Sequence, residues 1–198
     1  MGEDFSRAFI SYFAIIDPIG NAFVFYLLTE GLSYSKRLFV AITAVLAAGM
    51  MLALFAVAGQ EVLDILGISA ESFKVAAGLL LLFPAYRLVE QGQPMHPEEQ
   101  QHIEPAQVAL VPLATPLMAG PGALATSISF SDSLGIGITV GAMVPVLALS
   151  FILYASAGGL LQWLGPSPLR LLARIVGILL FAIAVDFILE GLRDFYQW

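Results

Sequence analysis

"AIIDPIGN", residues 14–21, sits inside an apolar run long enough to cross a bilayer. It places an acid, a proline, a glycine and an amide within five consecutive positions, Asp17 to Asn21. Pro18 has no N–H, and its ring clashes with the carbonyl of Ala14. It also drives Asp17 away from helical dihedrals, and Gly20 adds permissive backbone. The helix is expected to split at Asp17. The carbonyls of Phe13 to Ile16 and the N–H groups of Ile19 to Asn21 then lose their partners. In hydrocarbon each such group costs several kcal/mol, so the break requires protein, water or a substrate beside it.

The rest of the chain agrees that lipid is the solvent. Of 198 residues, 59% are hydrophobic and 12% charged, and the mean hydropathy is +0.90. Soluble domains hold about half apolar and about a quarter charged residues. There are no cysteines, which excludes disulfides, thiolate chemistry and Cys-zinc sites. A net charge of −7 argues against nucleic acid. Met1 to Arg7 is acidic and no small-residue cleavage site follows, so the first apolar run is expected to be retained as a span.

A crossing helix needs about 20 mostly apolar residues. Six segments qualify: 5–28, 38–59, 71–89, 106–130, 135–159 and 169–192. "LGPSP" (Leu164 to Pro168) separates the last two. The predicted fold is all-α and integral to the membrane, a single domain over 1–198. Repeat one covers about 1–90, a polar loop about 91–105 and repeat two about 106–198. Lys36, Arg37, Arg87, Arg170 and Arg174 fall on one side of the bundle, and Arg7, Lys74 and Arg193 on the other. The positive-inside rule puts the first group in the cytoplasm and both termini outside.

The repeat is visible at an offset of 100. "FKVAAGLLLLFPAYRLVEQ" from Phe73 aligns with "ARIVGILLFAIAVDFILEG" from Ala173, matching Lys74 with Arg174 and Glu90 with Glu190. "LGIS" (Leu66 to Ser69) likewise precedes the first as "LGPS" (Leu164 to Ser167) precedes the second. Each half has three spans, an odd number, so the second enters from the opposite side. The expectation is two inverted three-helix repeats, with helices 1 and 4 both broken near the midplane. The fourth segment carries Pro116 and then Gly120-Pro121-Gly122 within "LATPLMAGPGALATS" (Leu113 to Ser127).

Two antiparallel broken helices bring free N–H groups and free carbonyls together. A half-helix N-terminus favours an anion and a C-terminus a cation. A zwitterionic amino acid supplies both. The glycines allow close backbone approach and leave little room for a substrate side chain, which points to the glycine and alanine class. The candidate substrate-binding residues are Asp17, Pro18, Ile19, Gly20 and Asn21 in the first break. Ala119, Gly120, Pro121, Gly122, Ala123 and Thr126 are the candidates in the second.

These residues carry a family resemblance. "FAIIDPIGN", "GISAESFKVAAGLLLL", "PLATPLMAGPGALATS" and "RIVGILLFAIAVDFILEGL" resemble the MarC family of integral membrane proteins, over about residues 5 to 193. The resemblance implies six spans and a prokaryotic inner-membrane location. For its SnatA-type members it implies transport of small neutral amino acids coupled to an ion gradient, with protons as the expected ion. Ala77, where the family usually has glycine, and Pro84 depart from the pattern.

Each candidate also has a plainer role. Asp17 can cap the second half-helix with Pro18 at its first position, and as an intramembrane acid it is the candidate for coupling. Asn21 can bind substrate or satisfy backbone freed by the break. Thr115, Thr126, Ser127 and Ser129 can bond back to helix carbonyls. Asp186, Glu190 and Arg193 read as a solvated helix end with internal ion pairing, the alternative being coupling or gating. His96 and His102, with Glu98, Glu99 and Glu104, read as a solvated loop and not as a metal site. Gly137 and Gly141, and Ala44 and Ala48, have the small-xxx-small spacing of close helix packing. Gly158-Gly159 lacks the Lys-Ser/Thr of a phosphate loop. Without Cys, HExxH, GxSxG or a histidine in a span, the chain is not expected to be an enzyme, and no cofactor or metal is expected. The alternative to an amino acid carrier is an exporter or channel for another small metabolite on the same scaffold.

Overall fold

The computed structural model describes residues 2–91, 104–161 and 166–196. Among them every regular element is helical and there is no strand. The elements are α1 (Gly2–Ile16), α2 (Pro18–Leu28), α3 (Tyr34–Leu66), α4 (Ala70–Gln91), α5 (Pro105–Met118), α6 (Pro121–Leu134), α7 (Ile136–Leu161) and α8 (Pro166–Tyr196). Five stretches are long and apolar enough to cross a membrane: Gly2–Leu28, Tyr34–Gly59, Glu71–Glu90, Ile136–Gly158 and Ala173–Tyr196. The pair α5–α6, bent by 58°, makes a sixth if its halves are read as one span.

Boundaries differ from the hydropathy reading where helices outrun their apolar windows. α3 begins at Tyr34 and continues to Leu66, with a kink at Ala58 (φ −138°, ψ 19°). Pro166 starts α8, where a missing N–H is harmless. The predicted loop 91–105 falls mostly outside the described residues, with His96, Glu98, Glu99 and His102. So do Leu164 and Gly165 of the predicted breaker.

The helices sort into two groups. α4 packs along the length of α8 far more extensively than on any other helix. Glycines set this antiparallel contact. A Cβ on Gly78 would stand 2.6 Å from the Ala184 carbonyl oxygen, one on Gly177 2.8 Å from Leu88 Cβ, and one on Gly191 2.7 Å from the Glu71 carbonyl oxygen. The remaining helices form a four-span core. α1 and α2 pack on α7, α5 and α6 pack on α3, and α3 packs on α7. Ala44 and Ala48 are fully buried in this core, as close packing requires. Gly137 and Gly141 are not used that way. Both are exposed, and a Cβ on either would meet nothing within 4 Å. The spacing is correct there, but that face of α7 has no helix against it.

Much of the outer surface is apolar. Leu46, Met50, Leu54, Val57, Leu80, Phe83 and Ile152 are each more than half exposed. In water such a surface would be untenable, whereas in lipid it is the expected exterior.

Candidate functional site

The chain leaves helical geometry at Asp17, which takes left-handed dihedrals (φ 45°, ψ 68°) between α1 and α2. Proline at the next position disfavours the right-handed helical region, and aspartate tolerates the left-handed one better than most residues. Its carboxylate folds forward and accepts the Gly20 N–H at 3.0 Å. That fold requires glycine at position 20, because a Cβ there would collide with the carboxylate. The Asn21 N–H donates to the Asp17 carbonyl at 2.9 Å. The Asn21 side-chain amide donates to the Ile16 carbonyl at 2.6 Å, and the residue is 5% exposed.

The motif therefore repairs most of its own break, and the expectation of open N–H groups at Gly20 and Asn21 is corrected. On the carbonyl side the expectation is corrected at Phe13, whose carbonyl accepts the Asp17 N–H at 3.1 Å, and at Ile16, whose carbonyl accepts the Asn21 amide. The helical partner of the Ala14 carbonyl would be the nitrogen of Pro18, which carries no hydrogen.

The second interruption is longer than the glycine-proline-glycine turn. Within α5, Val111 (φ −133°, ψ 120°) and Thr115 (φ −139°, ψ 132°) are extended. Each precedes a proline, Pro112 or Pro116, and extended geometry is what a following proline favours. The Ala119 N–H then bonds the Ala114 carbonyl at 2.8 Å. Gly120 caps α6 with extended dihedrals, Pro121 occupies the first helical position, and no side chain caps this end. A Cβ on Gly120 would collide with the Pro116 carbonyl oxygen. The first helical bond runs from the Leu124 N–H to the Gly120 carbonyl at 2.9 Å. The first-turn N–H groups of Gly122 and Ala123 thus have no helical carbonyl. The two interruptions differ in kind: the first is capped by its own acid, and the second has no side-chain cap.

A buried hydrogen-bond chain holds α1 against α6. The Tyr12 hydroxyl lies 2.9 Å from Ser127 Oγ, and Ser127 Oγ donates to the Ala123 carbonyl at 2.8 Å. The Tyr12 ring meets Phe130 edge-on at 6.1 Å. Ser127 is therefore structural.

Beside this seam lies a cavity of about 590 Å³. α1 contributes Ser11, Ala14 and Ile15, and Asp17 follows at the break. Gly122, Ala125, Thr126, Ser129 and Phe130 come from α6, Lys74 from α4, and Ile183, Asp186, Phe187 and Glu190 from α8. Of the sequence candidates, Asp17, Gly122 and Thr126 line it. Pro18, Asn21, Ala119, Gly120, Pro121 and Ala123 are buried in the packing around the interruptions. Gly20 lies under the Asp17 carboxylate, and Ile19 points outward at 66% exposure.

The contributions of α4 and α8 are what the motifs did not announce. Lys74 Nζ is 2.8 Å from Asp194 Oδ2 and 3.8 Å from Glu190 Oε2. The acids at the end of α8 thus pair with a lysine from α4, whereas the sequence suggested Arg193. The one available signal was the Lys74–Arg174 match in the repeat. Asp17, Asp186 and Glu190 outnumber Lys74 in the lining, so the cavity favours cations and ammonium groups.

A chain whose described residues form only helices, with an apolar exterior and a charged pocket, is an integral, multi-pass membrane protein. The chain belongs to the MarC family: the model described as "MarC family integral membrane protein" matches residues 2–196. It is 36% identical over 197 residues to a UPF0056 membrane protein of Methanocaldococcus jannaschii, covering 96% of each chain. It is 32% identical over 199 residues to the UPF0056 membrane protein YvbG of Bacillus subtilis, covering 96% of this chain and 94% of that one. The UPF0056 membrane protein YhcE of Escherichia coli is 28% identical over 198 residues, with 96% and 92% covered. No solved structure matches the chain.

Proposed function

We propose that this protein is a secondary transporter of small neutral amino acids, of the glycine and alanine class. The zwitterion is held between the two interruptions, and transport is coupled to protons through Asp17. The observation that carries the reading is the cavity that Asp17 and Gly122 share. Asp17 and the unpartnered Ala14 carbonyl offer an acceptor set for an ammonium group, and the uncapped N–H groups of Gly122 and Ala123 suit a carboxylate. Thr126 supplies a hydroxyl, and no cofactor enters the reading.

Helix packing supports an inverted repeat. If the first, second and third spans correspond to the fourth, fifth and sixth, then α1–α2 on α7 corresponds to α5–α6 on α3. The α4–α8 and α3–α7 contacts each map onto themselves. The interruptions fall near the middle of their spans, after 15 residues of α1 and before the 14 residues of α6. Both features fit a substrate site at the midplane. The family resemblance supports a cytoplasmic-membrane location, and the basic-residue bias favours both termini outside.

A carrier is favoured over the alternative, a channel or exporter for another small metabolite. The cavity lining comes from the breaks and from the helix segments leading to the end of the bundle that holds the termini. Towards the other end the core is filled by Phe25 of α2 stacked on Tyr154 of α7 at 4.7 Å, and Leu28 of α2 and Leu113 of α5 are also buried. Reconstitution into liposomes tests this. Saturable counterflow of labelled glycine or alanine, and accumulation under an imposed proton gradient, are expected. Preference for bulky or anionic amino acids, or flux that never saturates, would overturn the reading.

A further inference from the structure

Tyr154 of α7 holds a polar group that the fold does not use. The residue is 1% exposed, and its hydroxyl has no hydrogen-bond partner among the described residues. A buried hydroxyl left unpaired is destabilising, and native proteins keep few of them. Phenylalanine would fill the same space without that cost. The charged group that acts on the hydroxyl is Asp17. Asp17 Oδ1 takes the Gly20 N–H, which leaves Oδ2 as an acceptor.

The surroundings place Tyr154 behind the acid. Its ring stacks on Phe25 of α2 at 4.7 Å and 8°. As the fifth span, α7 runs in the direction of the first, and helical side chains lean towards the start of their helix. Both rings therefore lean back towards the level of the break, with the hydroxyl at the leading tip. Tyr154 does not line the cavity, so Asp17 meets the cavity on one face and Tyr154 on another. Packing continues beyond the rings. A Cβ on Gly158, one turn further along α7, would collide with the Arg37 guanidinium. Arg37 Nε in turn donates to the Thr29 carbonyl at the end of α2, at 3.1 Å. The stack thus closes the break towards the end of the bundle opposite the termini.

We propose that Tyr154 is a positioning residue for Asp17, its hydroxyl donating to Asp17 Oδ2 when the path towards that opposite end opens. The inference rests on the carrier reading, in which the site opens to each side in turn. Reaching Asp17 carries the ring off Phe25. The movement that gives the hydroxyl its partner is therefore the movement that parts the stack. A hydrogen bond to a carboxylate outweighs one aromatic pair, so the exchange favours opening. The bond forms on the face of Asp17 away from the cavity and leaves the other face for the substrate ammonium.

Y154F, D17N and the double variant, compared with wild type in counterflow of labelled alanine and in thermal unfolding in detergent, test this. Y154F is expected to unfold at or above the wild-type temperature, because no bond is lost. Its counterflow turnover is expected to fall by at least about tenfold, the effect of losing a hydrogen bond to a charged group, with KM within about twofold. In the D17N background Y154F is expected to add no more than about threefold, because both changes remove the same contact. A lowered unfolding temperature in Y154F would show that the hydroxyl already has a partner, and would overturn the inference. So would unchanged turnover, additive losses, or an effect confined to KM, each of which leaves the transport reading intact. Wild-type protein that exchanges no neutral amino acid would remove both.

Discussion

Asp17 combines two tasks that one substitution separates. Asparagine also tolerates left-handed dihedrals and also caps helices. Asp17→Asn is therefore expected to keep the fold and the bond to the Gly20 N–H while losing the titrating group. Reconstituted protein should lose proton-driven accumulation yet still exchange substrate. Its KM for exchange should rise roughly ten- to a hundredfold, because a hydrogen bond to a charged group contributes about 1.5–3 kcal/mol. Full accumulation in this variant would end the coupling role. Asn21 is the contrasting case. Its amide is buried and donates to the Ile16 carbonyl, so Asn21→Ala orphans that carbonyl at a cost of about 1–3 kcal/mol. A lowered unfolding temperature in detergent with substrate selectivity unchanged is the expected result. Altered selectivity would return Asn21 to the list of binding residues.

At the scale of elements, glycines that look alike in the sequence do opposite things. Gly78 lets α4 lie on the backbone of α8, where a Cβ would stand 2.6 Å from the Ala184 carbonyl oxygen. Gly137 sits in a helix with open space around it. Gly78→Ala is expected to destabilise by about 1–3 kcal/mol through overpacking. Gly137→Ala should stabilise by up to about 1 kcal/mol through helix propensity. Thermal unfolding of the two variants in one detergent decides it, and equal shifts would refute the α4–α8 contact. The same contrast marks what the sequence could and could not convey. Asp17-Pro18 and Gly120-Pro121-Gly122 are local chemistry, and their effect on the backbone follows from sterics. The extended residues Val111 and Thr115 obey the same pre-proline rule, and Pro112 and Pro116 announce them in the sequence. Lys74 and Phe187 were not legible as site residues. They reach the cavity only because α4 and α8 pack as a pair across from α1 and α6, and no local pattern encodes that juxtaposition.

That pairing also bears on how the whole molecule could move. The cavity lies between the four-span core, which supplies Asp17 and Gly122, and the α4–α8 pair, which supplies Lys74, Phe187 and Glu190. Lys74 and Glu190 sit at one end of the pair, and their repeat counterparts Arg174 and Glu90 stand at the other. At the first end Lys74 pairs with Glu190 and Asp194. If α4 and α8 move as one body, cross-links within the pair should be tolerated and cross-links to the core should not. The chain contains no cysteine, so introduced cysteines report cleanly. Val75 of α4 and Leu192 of α8 line one pocket along this contact, so Val75→Cys and Leu192→Cys can be joined by a short bifunctional maleimide. Ser129→Cys and Glu190→Cys face the cavity from α6 and α8 and can be joined by a short bifunctional maleimide. Joining the first pair is expected to leave counterflow within about twofold of the unlinked form, an energy difference below about 0.5 kcal/mol on the scale where about 1.4 kcal/mol is tenfold. Joining the second pair is expected to abolish counterflow. Inhibition by the first cross-link, or transport through the second, would show that the two helices do not move together against the core.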